Sequence, residues 1–176
     1  LTKNDGYRDH SATEQRRAQY ALAYQWRPST TIIARAAWAN DPFADNPGAL
    51  TATESAATPS VSAPNNLLRN AGKAVRQKQF SLGLDDARGE WTTEVRLWLL
   101  TRALVNPLAA PAPAPNPADE GLWVGLDRLG TGLRASTTRR LGVHHLTAGI
   151  DLQSSRDDRT NRRHRQGTPF GPLLLD

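Results

Sequence analysis

Cysteine is absent from all 176 residues, which removes disulfide frameworks and thiolate metal sites from consideration. Methionine is absent too, even at position 1, and no basic-then-apolar leader opens the chain. Leu1-Thr2-Lys3-Asn4-Asp5-Gly6 reads as the middle of a loop, and Pro172-Leu173-Leu174-Leu175-Asp176 stops abruptly. Both are expected of an internal piece of a longer protein. No run approaches the ~18 apolar residues of a transmembrane helix. Hydrophobic residues make up only 38% of the chain and mean hydropathy is −0.57, totals that a disordered chain could share. Disorder, however, would not carry regular alternation of apolar and polar residues.

That alternation is the main signal. In Tyr20-Ala21-Leu22-Ala23-Tyr24-Gln25-Trp26, Tyr20, Leu22, Tyr24 and Trp26 share one face, and Gln19, Ala21, Ala23 and Gln25 share the other. Successive strand residues point to opposite sides, so a period of two predicts a two-faced strand. The pattern recurs as three hairpins. The first runs from about Glu14 to Trp26, turns through Arg27-Pro28-Ser29-Thr30 and returns over Thr31–Ala39, with Ile33 an apolar intruder on the polar face. The second starts near Arg76, with Phe80, Leu82 and Leu84 on one face, and turns at Ala87-Arg88-Gly89. It returns from Glu90 to Arg102, where Trp98 and Leu100 fall on the polar side. The third runs from about Leu122 to Thr137, turns near Thr138–Gly142 and returns over Val143–Arg156. Between hairpins lie long polar segments: Asn40 to about Val75, the stretch holding Pro111-Ala112-Pro113-Ala114-Pro115, and Asp157–Asp176, read as an Arg-rich loop. The proline–alanine run favours extended polyproline-like backbone and is not expected to join a sheet.

The expected fold class is therefore all-β, an antiparallel meander of about six long strands forming part of a transmembrane β-barrel. Short turns at one end and long loops at the other are the layout of outer-membrane barrels. The strands span about 10 to 14 residues against a soluble mode of roughly 5–6. Trp26 and Trp91 sit beside two short turns on the apolar parity, where interface aromatics are expected because the ring is apolar and the indole N–H is polar. A soluble all-β binding module, its apolar faces meeting in one core, is the rival class.

Motifs for catalysis and cofactors are weak. Gly130-Thr131-Gly132-Leu133-Arg134-Ala135 fits a dinucleotide fingerprint in letters, but no helical period follows it. His144 and His145 are adjacent, hence on opposite faces of a strand, and cannot jointly chelate one metal. Asp157-Asp158 lacks the spaced oxygens and glycine of a calcium loop. No enzyme, metal site or cofactor is expected. Formal net charge is +5 with a pI near 10.2. The basic residues do not read as a nucleic-acid surface, because no stacking aromatics interleave the Arg156–Arg165 run. Candidate contacts for an anionic ligand are Arg35, Arg96, Arg102 and Arg134 on the polar strand faces, with Arg159, Arg162 and Arg163 in the last loop. The same basic loop could meet lipopolysaccharide phosphates.

Thr147-Ala148-Gly149-Ile150-Asp151-Leu152-Gln153 followed by Arg156-Asp157-Asp158-Arg159 resembles a strand entering an extracellular loop of TonB-dependent outer-membrane receptors. Gln79-Phe80-Ser81-Leu82-Gly83-Leu84-Asp85, and Arg102 through Asn106-Pro107-Leu108, are similar to that family as well. The resemblance covers most of the chain from about Glu14. It implies residence in the Gram-negative cell outer membrane and a 22-stranded barrel plugged by an N-terminal domain. The implied work is uptake of an iron–siderophore complex or similar nutrient through the partner TonB. On that expectation residues 1–176 are one barrel segment, with the plug, TonB box and C-terminal strands lying elsewhere. A general porin is the rival within membranes.

Overall fold

The computed structural model describes residues 1–114 and 117–175, so Pro115 and Asp176 lie outside the described residues. Elements follow in the order β1 (Thr2–Asn4), β2 (Thr13–Arg27), β3 (Thr30–Asp45), α1 (Ala52–Ala57), α2 (Pro64–Leu68), β4 (Gly72–Arg88), β5 (Trp91–Pro111), β6 (Glu120–Leu141), β7 (His144–Arg165) and β8 (Thr168–Leu175). All eight strands form one antiparallel sheet in sequence order, and the sheet is not closed. The six expected long strands are β2 to β7, flanked by two shorter ones.

Three corrections concern the loop end. Residues 157–165 are not loop: they continue β7, which runs 22 residues, and β8 returns after a two-residue turn at Gln166-Gly167. Each residue of Asp157–Arg165 has a backbone partner on β6, from Asp157 opposite Arg128 to Arg165 opposite Glu120. Backbone pairing supplies what apolar periodicity did not signal. Pro111 does join the sheet, opposite Gly121, just past a register shift that begins at Pro107. Pro42 likewise sits inside the shift between Asp41 and Ala44. A proline has no N–H for a ladder, so bulges are where strands accept it. Finally, the segment after β3 is not structureless, since α1 and α2 lie within it; α1 opens on a Thr51–Glu54 capping box.

At the opposite end the turns are tight. Gly89-Glu90 joins β4 to β5 and Gly142-Val143 joins β6 to β7, with φ of 57° and 61° at the glycines. A positive φ at the first turn residue matches the right-handed twist of the flanking strands, and glycine adopts it without steric cost. Asp86 ties neighbouring hairpins together there. Its carboxylate accepts from Thr30 and Ser29 and pairs with Arg88 at 2.9 Å.

Pairing aligns the apolar parity into rows across the sheet. One row joins Tyr24, Ile32, Leu84, Val95, Ala135 and Ile150, and the next joins Leu22, Ala34, Leu82, Leu97, Leu133 and Leu152. These side chains do not meet another layer: Leu22 is 67% exposed, Leu97 47% and Leu152 53%. Toward the loop end the same face turns polar, through Ser154, Arg156, Asp158 and Thr160 on β7. Among the described residues the only buried apolar side chains are Ala71 and Ala112. A two-layer soluble sheet would place its long apolar side chains inside.

Burial concentrates instead where the long connections meet. Arg8 donates to the carbonyls of Gly48 (2.6 Å), Val61 (3.0 Å) and Pro47 (3.2 Å), clamping the β1–β2 connection onto the α1–α2 segment. Arg69 donates to Glu120 O at 3.0 Å and to Ala109 O, which fastens that segment to β5 and β6. His164 is wholly buried. Its Nε2 lies 3.0 Å from Leu108 O, and its Nδ1 accepts from Gly167 N–H at 3.1 Å. That pairing calls for the neutral Nε2–H tautomer.

Burial is the main force holding the His164 pKa below its usual 6.5; the Leu108 carbonyl opposes it, and the Arg69 charge lowers it further. An unfolded histidine takes up its proton near pH 6.5, whereas the folded one resists until lower pH. Loop-end stability is therefore full above 6.5 and is lost as pH falls below it. Protection factors at Gly167 and the Leu108 region, taken relative to intrinsic exchange at each pH, will fall on acidification through that window. In His164→Gln, which can still donate to Leu108 O, this pH dependence will flatten.

Candidate functional site

The polar parity of the same strands forms the second face, and it is crossed by charge pairs. Gly83, Arg96, Arg134 and Asp151 occupy one pairing row; Gln77, Arg102, Arg128 and Asp157 occupy another. Arg134 binds Asp151 on the adjacent strand, with Nε at 2.8 Å. Arg128 grips Asp157 with two parallel bonds, Nε to Oδ1 at 2.6 Å and Nη2 to Oδ2 at 2.5 Å. Arg17 reaches Asp41 at 3.3 Å. Two aligned N–H groups meeting one carboxylate are the strong form of this interaction, though exposure to water weakens it.

Seven arginines were expected to contact a ligand, and they divide by environment. Arg96 is occupied: it pairs with Asp85 and donates to the carbonyls of Val95 (3.0 Å) and Leu84 (3.2 Å). Its guanidinium lies so close over Gly83 that a Cβ there would fall 2.9 Å from Arg96 Cδ. Arg134 is committed to Asp151. Arg35, on β3 between Ala21 and Ser81, has no carboxylate within ion-pair distance among the described residues. Arg102 has none either; it faces the like charge of Arg128, and its buried Nε lacks a hydrogen-bond partner. Of the four candidates on the polar strand faces, Arg35 and Arg102 are thus uncompensated, whereas Arg96 and Arg134 are not.

The expected loop cluster does not exist as a cluster. Arg159, Arg162 and Arg163 belong to β7, whose alternation sends Arg162 to the face opposite the other two. Arg159 Nε reaches Asn161 Oδ1 at 3.3 Å, and Arg163 binds the buried Glu120 carboxylate at 3.2 Å alongside Arg165 at 3.0 Å. Trp26 and Trp91 do lie beside short turns on the apolar face, each with an arginine over its ring: Arg27 at 4.5 Å and Arg139 at 5.1 Å.

Trp98, which broke the polar pattern of β5, has a structural partner. Its indole lies flat on Gly132 of β6, where an added Cβ would come within 2.2 Å of the ring, and it borders Gly130. Gly130-Thr131-Gly132 is therefore interior to a strand, with no helix opening after it as a dinucleotide site requires. The glycines make room for an aromatic ring on the polar face, and the ring covers backbone that glycine leaves bare. Asp157 and Asp158 are each engaged by arginine, on opposite faces of β7.

Partners that sequence reasoning missed fall into two groups. Asp85, Asp151 and Asp157 were accessible, because placing the turns at Gly89-Glu90 and Gly142-Val143 sets each opposite or diagonal to its arginine. Arg8, Arg69 and His164 were not, since each has partners 39 to 56 positions away through irregular loops.

No protein-family model matches the sequence, and no curated protein sequence matches it. The fold is similar to that of the ferric citrate transporter FecA in its unliganded form, with a TM-score of 0.75 at 14% identity. The likeness covers 94% of this chain and 24% of that one, so the chain spans about a quarter of the transporter's length. At this identity the match concerns the fold: an antiparallel meander like one stretch of that barrel's wall.

The Trp98–Gly132 contact makes a specific demand. Gly132→Val will drive the indole off β6, reducing the aromatic near-ultraviolet circular dichroism and costing about 1–3 kcal/mol of stability through overpacking. Thr131→Val, at the neighbouring position on the other face of β6, will leave the Trp98 signal unchanged.

Proposed function

We propose that this chain is a wall segment of an outer-membrane uptake receptor of the TonB-dependent kind, carrying an anionic iron chelate or similar nutrient rather than performing catalysis. One observation carries this proposal: a continuous exposed apolar field across six strands, backed by a charged and hydrogen-bonding face, with no core between layers. Hydrocarbon is the medium that stabilises such a face, and a closed barrel is how a sheet satisfies its edges there. The likeness to a ferric citrate transporter supports transport, and the loose family motifs support coupling to TonB through a plug outside this segment. About ten residues per strand are enough to cross a bilayer at a tilt. On β7 the ten residues from His144 to Gln153, with Leu146, Ala148, Ile150 and Leu152 on the apolar face, fit that span, and the remainder of its 22 residues stands beyond the membrane on the loop side.

On this proposal the polar face lines the lumen. Arg35 and Arg102 are the wall residues with charge to offer an anionic ligand, while Arg96, Arg128 and Arg134 hold the wall together.

Charge reversal of environment tests the membrane assignment. In the full-length protein, Leu97→Arg will cost about 2–4 kcal/mol of folding in lipid, whereas Ser81→Arg on the adjacent strand's polar face will cost little. A soluble module whose apolar faces meet in a core would also lose stability with Leu97→Arg, but it would stay monodisperse without detergent, and that separates the two. For ligand binding, Arg102→Ala and Arg35→Ala will each weaken the Kd for an anionic ferric chelate by about tenfold, the equivalent of one charge-assisted hydrogen bond. Arg134→Ala will change stability more than affinity. Isothermal titration of the purified receptor separates these outcomes.

A further inference from the structure

The apolar face carries a feature that nutrient uptake does not use. A groove of about 530 Å³ runs along β2 to β5, lined by Tyr20, Ala36, Trp38, Phe80 and Leu99, with Lys78 at its loop-side end. Lys78 stands directly across from Trp38, and Arg76 follows on the same strand and face, opposite Asn40. Both cations are exposed, and neither has a carboxylate within ion-pair distance among the described residues. Arg16, in the same row as Asn40 and Arg76, is paired with Glu14 at 2.6 Å and adds no net charge, so Lys78 and Arg76 carry the positive charge of this rim.

The charge is lopsided along this rim. Continuing those rows past the uncharged Thr101 and Ala103 of β5 leads to Leu129 and Asp127 on β6, then Arg156 and Asp158 on β7. Arg156 and Asp158 pair with each other at 3.3 Å, which leaves Asp127 as the acidic contribution from that side. The basic half of the rim therefore coincides with the apolar groove, and the acidic half does not.

Resting on the wall-segment proposal above, we propose that this groove holds a phosphorylated, multiply acylated glycolipid of the outer leaflet. An acyl chain would lie along Tyr20, Phe80 and Leu99, and a headgroup phosphate would meet Lys78 and Arg76. Three features fit that occupant together. The groove is apolar along its length, as an acyl chain requires. Its cations stand at the row where the apolar face gives way to polar residues, the depth of a headgroup. Trp38 beside Lys78 supplies the amphipathic ring that such an interface favours. The basic run of β7 is a poorer match, because Glu120 and Asp119 already engage Arg163 and Arg165.

The test uses the full-length protein extracted from its own outer membrane in mild detergent, with native mass spectrometry reading the retained lipid. Fractionation and heat-modifiable migration first establish that the protein is a folded membrane barrel; recovery as a soluble protein would overturn both this inference and the proposed function. In the folded barrel, the wild type is expected to retain one glycolipid. The Lys78→Ala/Arg76→Ala variant will bind purified lipid A about 30-fold more weakly. Lys78→Arg will keep it, and Arg139→Ala, at the opposite rim, will behave as wild type. Equal retention by the double variant, or retention of ordinary phospholipid alone, would overturn the lipid site while leaving the barrel assignment intact.

Discussion

Backbone ladders between neighbouring strands hold this molecule together, and everything else depends on them. From β2 to β7 the pairing is nearly continuous, interrupted by shifts only at a few places such as Asp41/Ala44 and Pro107/Pro111. Among the described residues no second layer packs on the sheet, so side-chain burial cannot substitute for a lost ladder. Once each N–H and C=O finds its partner across the strand, side chains alternate, and a single register decides which residues share a face. A slip of one residue on β5 would bring Arg96 and Trp98 onto the side now occupied by Leu97 and Leu99. The turns at Gly89 and Gly142 fix that register at one end, and Asp86 couples two hairpins beside them.

The two ends of the sheet solve different problems. At the turn end, chain reversal is immediate, and arginines stack on Trp26 and Trp91. At the loop end the strands continue past the apolar field, and both of their faces turn polar. There the backbone of the long connections is satisfied by arginine side chains reaching across sequence, Arg8 to three carbonyls and Arg69 to two. Each guanidinium has several fixed donors, which suits it to gathering carbonyls from irregular chain. The result is a cap of defined shape in place of loose loops, and the buried Glu120 and His164 are its internal polar contacts. Burying such groups costs free energy unless each is matched, which is why Glu120 faces two arginines and His164 uses both ring nitrogens.

How much was legible in the sequence follows from the range of the forces involved. Alternation over Tyr20–Trp26 and Leu146–Leu152 is written in consecutive residues, so strands, faces and hairpin order could be read directly. The continuation of β7 through Arg165 could not, because outside an apolar environment both faces are polar and the period disappears. Only pairing with β6 reveals it. Trp98 looked like an error in the pattern until Gly132 on the next strand accounted for it; the two are separated by 34 positions and joined by register alone. The arginine candidates were identified by type and parity, but whether a charge is free depends on its neighbours. Arg134 and Arg102 look alike in sequence, and the cross-strand Asp151 distinguishes them.

On the proposed function, that distinction bears on how a charged wall selects an anionic ligand. A guanidinium already bound to an aspartate offers an incoming anion little, since the new contact must displace an existing one of similar strength. An arginine opposed by another arginine is in the reverse position: an anion placed beside it relieves repulsion as well as forming a bond. Arg102, opposite Arg128 and with an unpaired buried Nε, is the residue of this kind on β5. Arg128 is held by Asp157 and cannot turn to share the ligand, so it acts as a fixed positive neighbour. The ion pairs thus give the wall rigidity and sharpen the contrast between its neutralised and uncompensated charges. A face bearing many arginines can in this way attract anions at few points.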